Sequence, residues 1–419
     1  MSSILSAHTE PSNPFGHGLR DKFCLDDDYI NLNCGSFGCL PLAVRDEYVR
    51  RFSELEGNPD RFMRGSLRTE KAEICSKLAD FLGAEPESCV LVPNVAHGIN
   101  TVLRNFPWKT GDVLIMASTT YFIVARTVHA LRHLPHHPTI EEFPLTFPTS
   151  HSEILERFRQ YLRSSKSCNG TTFALFDTIV STPGIVMPWK EMVSICKAEG
   201  VRSLVDAAHS IGHETNINLS EISPDFWVTS CSKWLYVKRG CSLLYVAPRN
   251  QSMIKHDLTP SMLIPDGKYS RFQSEFFWSG SMDALTAMTV KPALKFRQSL
   301  GGEQQIVDYC HNLAVQGGRV LAQTLGTEMM CSTGENPLEL IGCMVNVALP
   351  SSKNATVTPQ ELFECESQLL EGKVYAQLFI LNNCYWVRVS AQVFNQIEDF
   401  EKLGLRLLQI CSDTMGAPK

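Results

Sequence analysis

The chain lacks an excess of basic residues, a long apolar run, paired cysteines and a glycine fingerprint, and each lack removes a class of function. Its formal net charge is −6 over 419 residues, which gives no electropositive footprint for nucleic acid. No uninterrupted apolar stretch is long enough to span a bilayer. Met1 to Gly16 is polar and contains proline, without the charged-then-apolar pattern of a secretion signal. The strand–turn–helix around Val92 to His97 has neither the Walker lysine nor the G-x-G-x-x-G spacing, so nucleotide triphosphates and dinucleotides are disfavoured ligands. Fifteen cysteines are present but no C-x-x-C. Several, such as Cys89, Cys241 and Cys343, sit inside apolar runs, which points to buried thiols in a reducing, cytoplasmic setting. His136 and His137 share a proline-bounded loop with no third ligand nearby, so no metal is expected there.

What is present is an ordinary globular composition, 44% hydrophobic and 20% charged, on a chain long enough for two sizeable cores. Short apolar runs alternate with helical periodicity from about Ser88 to Val246. That order predicts an α/β domain with a mainly parallel sheet. The run from Cys241 to Val246 follows Lys233 too closely for a parallel crossover and is expected to be antiparallel, which makes the sheet mixed. After Val290 two long helices and then short strands predict an α+β C-terminal part. The expected division is an arm over 1–30, a large domain over 31–290 and a small one over 291–419.

Two runs carry the chemistry. Ser203 to Val205 ends in Asp206-Ala207-Ala208-His209, and Phe226 to Ser230 leads to Lys233. As neighbouring parallel strands they would bring a carboxylate and an amine to one sheet edge, where such folds bind ligands. An Asp beside a Lys is what pyridoxal 5′-phosphate (PLP) needs: the amine forms the Schiff base and the carboxylate partners the pyridinium nitrogen. The helix starting directly after Val92 aims free N–H groups at the same crevice and suits a phosphate. Arg388 alternates with apolar residues in Trp386 to Ser390. Burial there would be costly unless a carboxylate meets the guanidinium.

The ordered set Asn31 to Gly38, Asn94 to Asn100, Val205 to His209, Ser230 to Gly240, Trp278 to Asp283 and Arg388 to Asn395 resembles the class V, fold-type I PLP enzymes. The likeness is strongest to the fungal isopenicillin N epimerase-like group, with its ergothioneine-pathway carbon–sulfur lyases and loline-pathway enzyme. The resemblance implies a seven-stranded mixed sheet and a homodimer with shared active sites. It gives Lys233 the coenzyme imine, Asp206 the ring nitrogen, His209 the phenolic oxygen and Tyr121 the ring face. It gives Ala96, His97 and Ser230 the phosphate, and Ser281 the phosphate of the partner subunit. Arg388 would grip the substrate carboxylate, and Arg64 and Asn33 would line the entrance. Lys233, Tyr121 and His209 are thereby the catalytic candidates.

Four departures separate the chain from these relatives. Many relatives have a hydroxyl residue at the position of Ala96 and a histidine at that of Ser232. The cysteine that the ergothioneine lyases carry just ahead of Pro144-Leu145 is replaced by Glu141-Glu142-Phe143. Cys365 and Cys384, the nearest candidates for a desulfurase nucleophile, lie outside any Gly/Ser-rich mobile segment. The implied reaction is that of a specialised, alkaloid-type enzyme acting on an amino-acid-derived substrate through an external aldimine and an α-carbanion. Decarboxylation or Mannich-type ring closure would follow. A C–S lyase or desulfurase-like β-elimination, an epimerase or racemase, and a non-catalytic scaffold are the alternatives.

Overall fold

A computed structural model describes residues 15–261, 267–278, 280, 282–350 and 358–415. Seven strands form the main sheet: β1 (Cys89–Val92), β2 (Val113–Ala117), β3 (Thr139–Phe143), β4 (Thr172–Asp177), β5 (Arg202–Ala207), β6 (Phe226–Ser230) and β7 (Ser242–Val246). Their spatial order is β1-β7-β6-β5-β4-β2-β3. Only β7 runs antiparallel to its neighbours, as its short connection requires. The remaining neighbours pair in parallel.

Both faces of this sheet are covered, so its strands read as continuous apolar runs rather than as alternating ones. The two-residue period still sorts the side chains. Leu114, Met116, Phe173, Leu175 and Leu204 face one way, onto Ile99, Val102 and Leu103 of the helix Val95–Asn105. Ile115, Ala174, Phe176 and Val205 face the other way, onto Ile154 and Phe158 of the helix His151–Ser165 and Met192 and Val193 of Trp189–Glu199. Gly98 allows the first helix to lie close on the sheet, since a Cβ there would stand 2.6 Å from Val228.

A second core surrounds a three-stranded antiparallel sheet of β8 (Met344–Ala348), β9 (Gln377–Leu381) and β10 (Cys384–Ser390), with β10 in the centre. The helices Glu303–Leu325 and Ile397–Met415 pack on it. The N-terminal segment ties this sheet to the main one. Ile30–Asn31 pairs in parallel with Val374–Tyr375, Asn33 bridges to Ser390, and a single helical turn follows over Cys34–Phe37. The Gly38 that ends the turn has φ 68°, and a Cβ on it would stand 1.9 Å from the Ser232 carbonyl oxygen. Asn33, Ser36 and the segment before Lys233 are thereby held together.

The helical pattern from Pro41 to Leu82 is interrupted. Leu42–Gly57 ends at Asn58-Pro59, and a π-helical turn over Phe62–Ser66 precedes Leu67–Leu82.

Candidate active site

The carboxyl ends of the parallel strands open into a cavity of about 780 Å³. Part of its lining comes from strand ends. Asp177 closes β4, Asp206 is the penultimate residue of β5, and Ser230 closes β6 three residues before Lys233. Asp177 and Asp206 stand opposite each other in the register of β4 and β5. Ala96 lies in the first turn of the helix after β1, and Tyr121 begins the helix after β2. Arg388 enters from the three-stranded sheet.

Lys233 and Asp206 do meet in this cavity, as parallel pairing of β5 and β6 requires. Burial pulls the Lys233 amine down to about 8, opposed by the charge of Asp206. Lys233 Nζ is 3.0 Å from His209 Nε2, and the Trp234 indole N–H donates to His209 Nδ1 at 3.2 Å. Burial, then the charges of Lys233 and Arg388, hold the His209 imidazole well below its usual range. Asp206 accepts the Ala208 N–H at 3.0 Å. Burial raises both carboxyls, and Asp177 is raised further by the charge of Asp206. A second anion beside the first is disfavoured in so buried a site, which pushes the Asp177 carboxyl well above its usual range.

The phosphate end differs in detail from the sequence expectation. Asn94 caps the helix through its side chain, which accepts the His97 N–H at 2.8 Å. The His97 N–H is therefore already satisfied, and its ring turns to Asp257 at 2.6 Å. Ala96 and Ser230 line the cavity. So do Thr119 and Thr120, whose buried hydroxyls have no partner among the described residues. Unpartnered buried hydroxyls at a helix N-terminus fit an oxygen-rich anion. Ser281 lies outside the described residues.

Arg388 is 1% exposed, and no carboxylate pairs with it among the described residues. Its guanidinium donates to the Ser181 carbonyl, to Asn33 Oδ1 at 2.8 Å and to Ser36 Oγ at 2.7 Å. Its Nε has no partner among the described residues. Burial lowers its pKa to about 10. Asn33 therefore sits behind the guanidinium and orients it, rather than standing at the entrance. Arg64 is not brought to the cavity of its own chain. It lies 84% exposed on the π-helical turn and pairs with Asp60 one helical turn earlier at 3.0 Å. Tyr121 lines the cavity and is 43% exposed.

Sequence reasoning assigned no role to Asp177, Asn94, Thr119, Thr120, Ser36 or Trp234. Asp177 had a readable signal, because Phe173 to Phe176 ends in a carboxylate just as Ser203 to Val205 does.

A lysine amine with lowered basicity, a buried carboxylate beside it and a helix-end anion cradle define a PLP site on a doubly wound sheet. The aminotransferase class-V family model matches residues 39–403, and the chain belongs to that family. It is similar to the L-cysteine desulfhydrase-like protein lolT1 of Epichloe uncinata, at 31% identity over 96% of this chain and 97% of that one. It is similar to the hercynylcysteine sulfoxide lyase of Schizosaccharomyces pombe at 27% identity, covering 96% and 99%. Among solved structures it matches the cystine C–S lyase C-DES in complex with cysteine persulfide, with a TM-score of 0.76 and 18% identity over 93% of this chain and 98% of that one. The fold is fold-type I, and the cofactor is pyridoxal 5′-phosphate. No described helix is long and apolar enough to cross a membrane.

Proposed function

We propose that this protein is a PLP-dependent lyase or cyclase that removes the α-proton of an amino-acid-derived substrate, with Lys233 as the base and Arg388 holding the carboxylate. The observation that carries the reading is the buried Arg388 guanidinium, which lacks a carboxylate among the described residues and shares one cavity with Lys233. The coenzyme supplies an electrophilic carbon and a ring that withdraws electrons from Cα.

The protein's own groups do the rest. Asn33, Ser36 and the Ser181 carbonyl fix the guanidinium plane, so the substrate carboxylate is received in one orientation. Its charge also argues for proton removal over decarboxylation, because loss of CO2 would leave a buried cation unpaired. Lys233, with an amine pKa near 8, takes the α-proton on Nζ and can return it. Asp206 would hold the coenzyme's ring nitrogen protonated, and Tyr121, which lines the same cavity, would cover the ring. Ala96, Ser230 and the helix N-terminus hold the phosphate.

Ring closure onto an electrophile elsewhere on the substrate is the fate we favour. A cavity of about 780 Å³ leaves space beyond the coenzyme for a substrate larger than cysteine. No cysteine is among the described residues lining it, so a protein-borne persulfide has no carrier among them. Elimination of a β-sulfur group is the second reading, supported by relatives whose names denote cysteine desulfhydrases and a sulfoxide lyase. The enzyme would act as a homodimer in the cytoplasm. Phe37 and Phe122 at the cavity mouth, 69% and 60% exposed, suit cover by a second copy.

The test is incubation of the holoenzyme with a panel of amino acids in heavy water. Deuterium at Cα of recovered, still carboxylated substrate is expected, without CO2. CO2 release with no deuterium in the recovered substrate would overturn the reading, because loss of CO2 places solvent deuterium only in the amine product. Sulfide or a sulfenic product would select elimination over ring closure.

A further inference from the structure

The described side chains around Lys233 form a directed series of hydrogen bonds, and its direction is set by chemistry rather than by choice. Indole nitrogen can only donate. Trp234 Nε1 is 3.2 Å from His209 Nδ1, so Nδ1 accepts. A neutral imidazole with Nδ1 accepting carries its proton on Nε2. Nε2 is 3.0 Å from Lys233 Nζ, and as an N–H it can only donate. Nζ accepts a hydrogen bond only through a lone pair, which an ammonium does not have.

We propose that Trp234 is a positioning residue that fixes the proton of His209 on Nε2 and thereby favours the free amine of Lys233, the form that reacts with the coenzyme aldehyde. The proposal rests on Lys233 being the coenzyme anchor, but the tautomer can be read without coenzyme.

Trp234 is placed firmly enough to impose this. It is 1% exposed, its ring lies 4.2 Å from that of His213, and its carbonyl accepts from Arg297 Nη1 at 2.7 Å. Arg297 is itself 1% exposed and is paired with Glu303. Gly212 admits the Trp234 backbone, since a Cβ there would stand 2.8 Å from the Trp234 carbonyl carbon.

The other charges do not decide the matter. Lys233 is faced by Asp206 and Asp177, which favour the ammonium, and by Arg388, which opposes it. His209 is faced by Lys233, Arg388 and His213, all of which oppose a second proton on the ring. With the imidazole kept neutral, the indole selects which nitrogen bears its one proton. Without the indole donor, Nε2 could shed its proton to Nδ1 and accept from the ammonium.

The experiment uses the full-length protein labelled with 15N-histidine, with His209→Gln to assign the resonances. Wild type is expected to show Nδ1 of His209 in the range of an unprotonated imidazole nitrogen and Nε2 in that of a protonated one. Trp234→Phe keeps a ring but removes the donor. In that variant the pH midpoint of PLP uptake by the coenzyme-free full chain is expected to rise by roughly 0.4–1 unit, the worth of one net hydrogen bond. The shift should vanish in a His209→Ala background, because the effect runs through the imidazole. A protonated Nδ1 in wild type would overturn the proposal. So would a folded Trp234→Phe with an unmoved midpoint, or an equal shift in the His209→Ala background. If Trp234→Phe does not fold, the wild-type spectrum alone decides.

Discussion

Arg388 and His213 show two ways in which a buried nitrogen base is tolerated. Arg388 keeps its charge and is held by neutral oxygens on one side, which leaves its demand for an anion to the substrate. Arg388→Ala is expected to raise KM for carboxylate substrates by roughly tenfold to a hundredfold, the worth of a charge-assisted hydrogen bond or two. The corresponding decarboxylated amine should bind unchanged, and steady-state kinetics on matched pairs checks this. His213 gives up its charge instead. Its Nε2 accepts the Cys343 N–H at 2.6 Å, and burial lowers its pKa to about 3. Between pH ~6.5 and ~3 the unfolded chain takes up a proton that the folded one refuses, so this group removes stability as pH falls. The loss is on the order of 2 kcal/mol by pH 5. Asp177 and Asp206, with raised carboxyl pKa values, act with the opposite sign. Comparison with His213→Gln isolates the histidine: urea midpoints at pH 7 and pH 5 should differ less in the variant than in wild type.

At the scale of elements, what was legible in the sequence follows burial. β5 and β6, apolar along their length and buried in the middle of the sheet, were readable almost to the residue, and so were the two residues they deliver, Asp206 and Lys233. β3 was not, because it is an edge strand whose Glu141 and Glu142 break the apolar run. The helices His151–Ser165 and Pro359–Glu371 went unread although each announces itself by its cap. Ser150 accepts from the Glu153 N–H and Thr358 from the Glu361 N–H, the first half of a capping box. The Asn94 cap on His97 is of the same legible kind, since Asn94 stands just ahead of the helix. Partners distant in sequence were not legible: nothing in the residue pattern says that Asn33 sits behind Arg388. The contact between the helical turn Cys34–Phe37 and the segment before Lys233 is similarly tertiary, and Gly38 marks it. Gly38→Ala would place a methyl group on the Ser232 carbonyl in a backbone region that alanine avoids. Strain of about 1–3 kcal/mol on the lysine segment is expected to weaken coenzyme affinity by roughly tenfold or more. Titration of the coenzyme-free chain with PLP measures it.

The whole molecule joins two cores around one cavity, with Arg388 supplied by the three-stranded sheet and Asp177, Asp206 and Ser230 by the seven-stranded one. That arrangement makes the site sensitive to how the two sheets are held, and the exposed Phe37 and Phe122 at its mouth are where the proposed second copy is tested. Combined Phe37→Glu and Phe122→Glu substitution is expected to shift the sedimentation profile from dimer toward monomer and to lower coenzyme occupancy. A wild-type profile that is monomeric at full activity would contradict the dimer. The account as a whole turns on a single covalent attachment. Purified full-length protein, supplied with PLP, reduced with borohydride and digested, should yield one coenzyme-modified peptide carrying the label on Lys233, and Lys233→Ala should yield none. Label on a different lysine, or no label in wild type, would contradict the account.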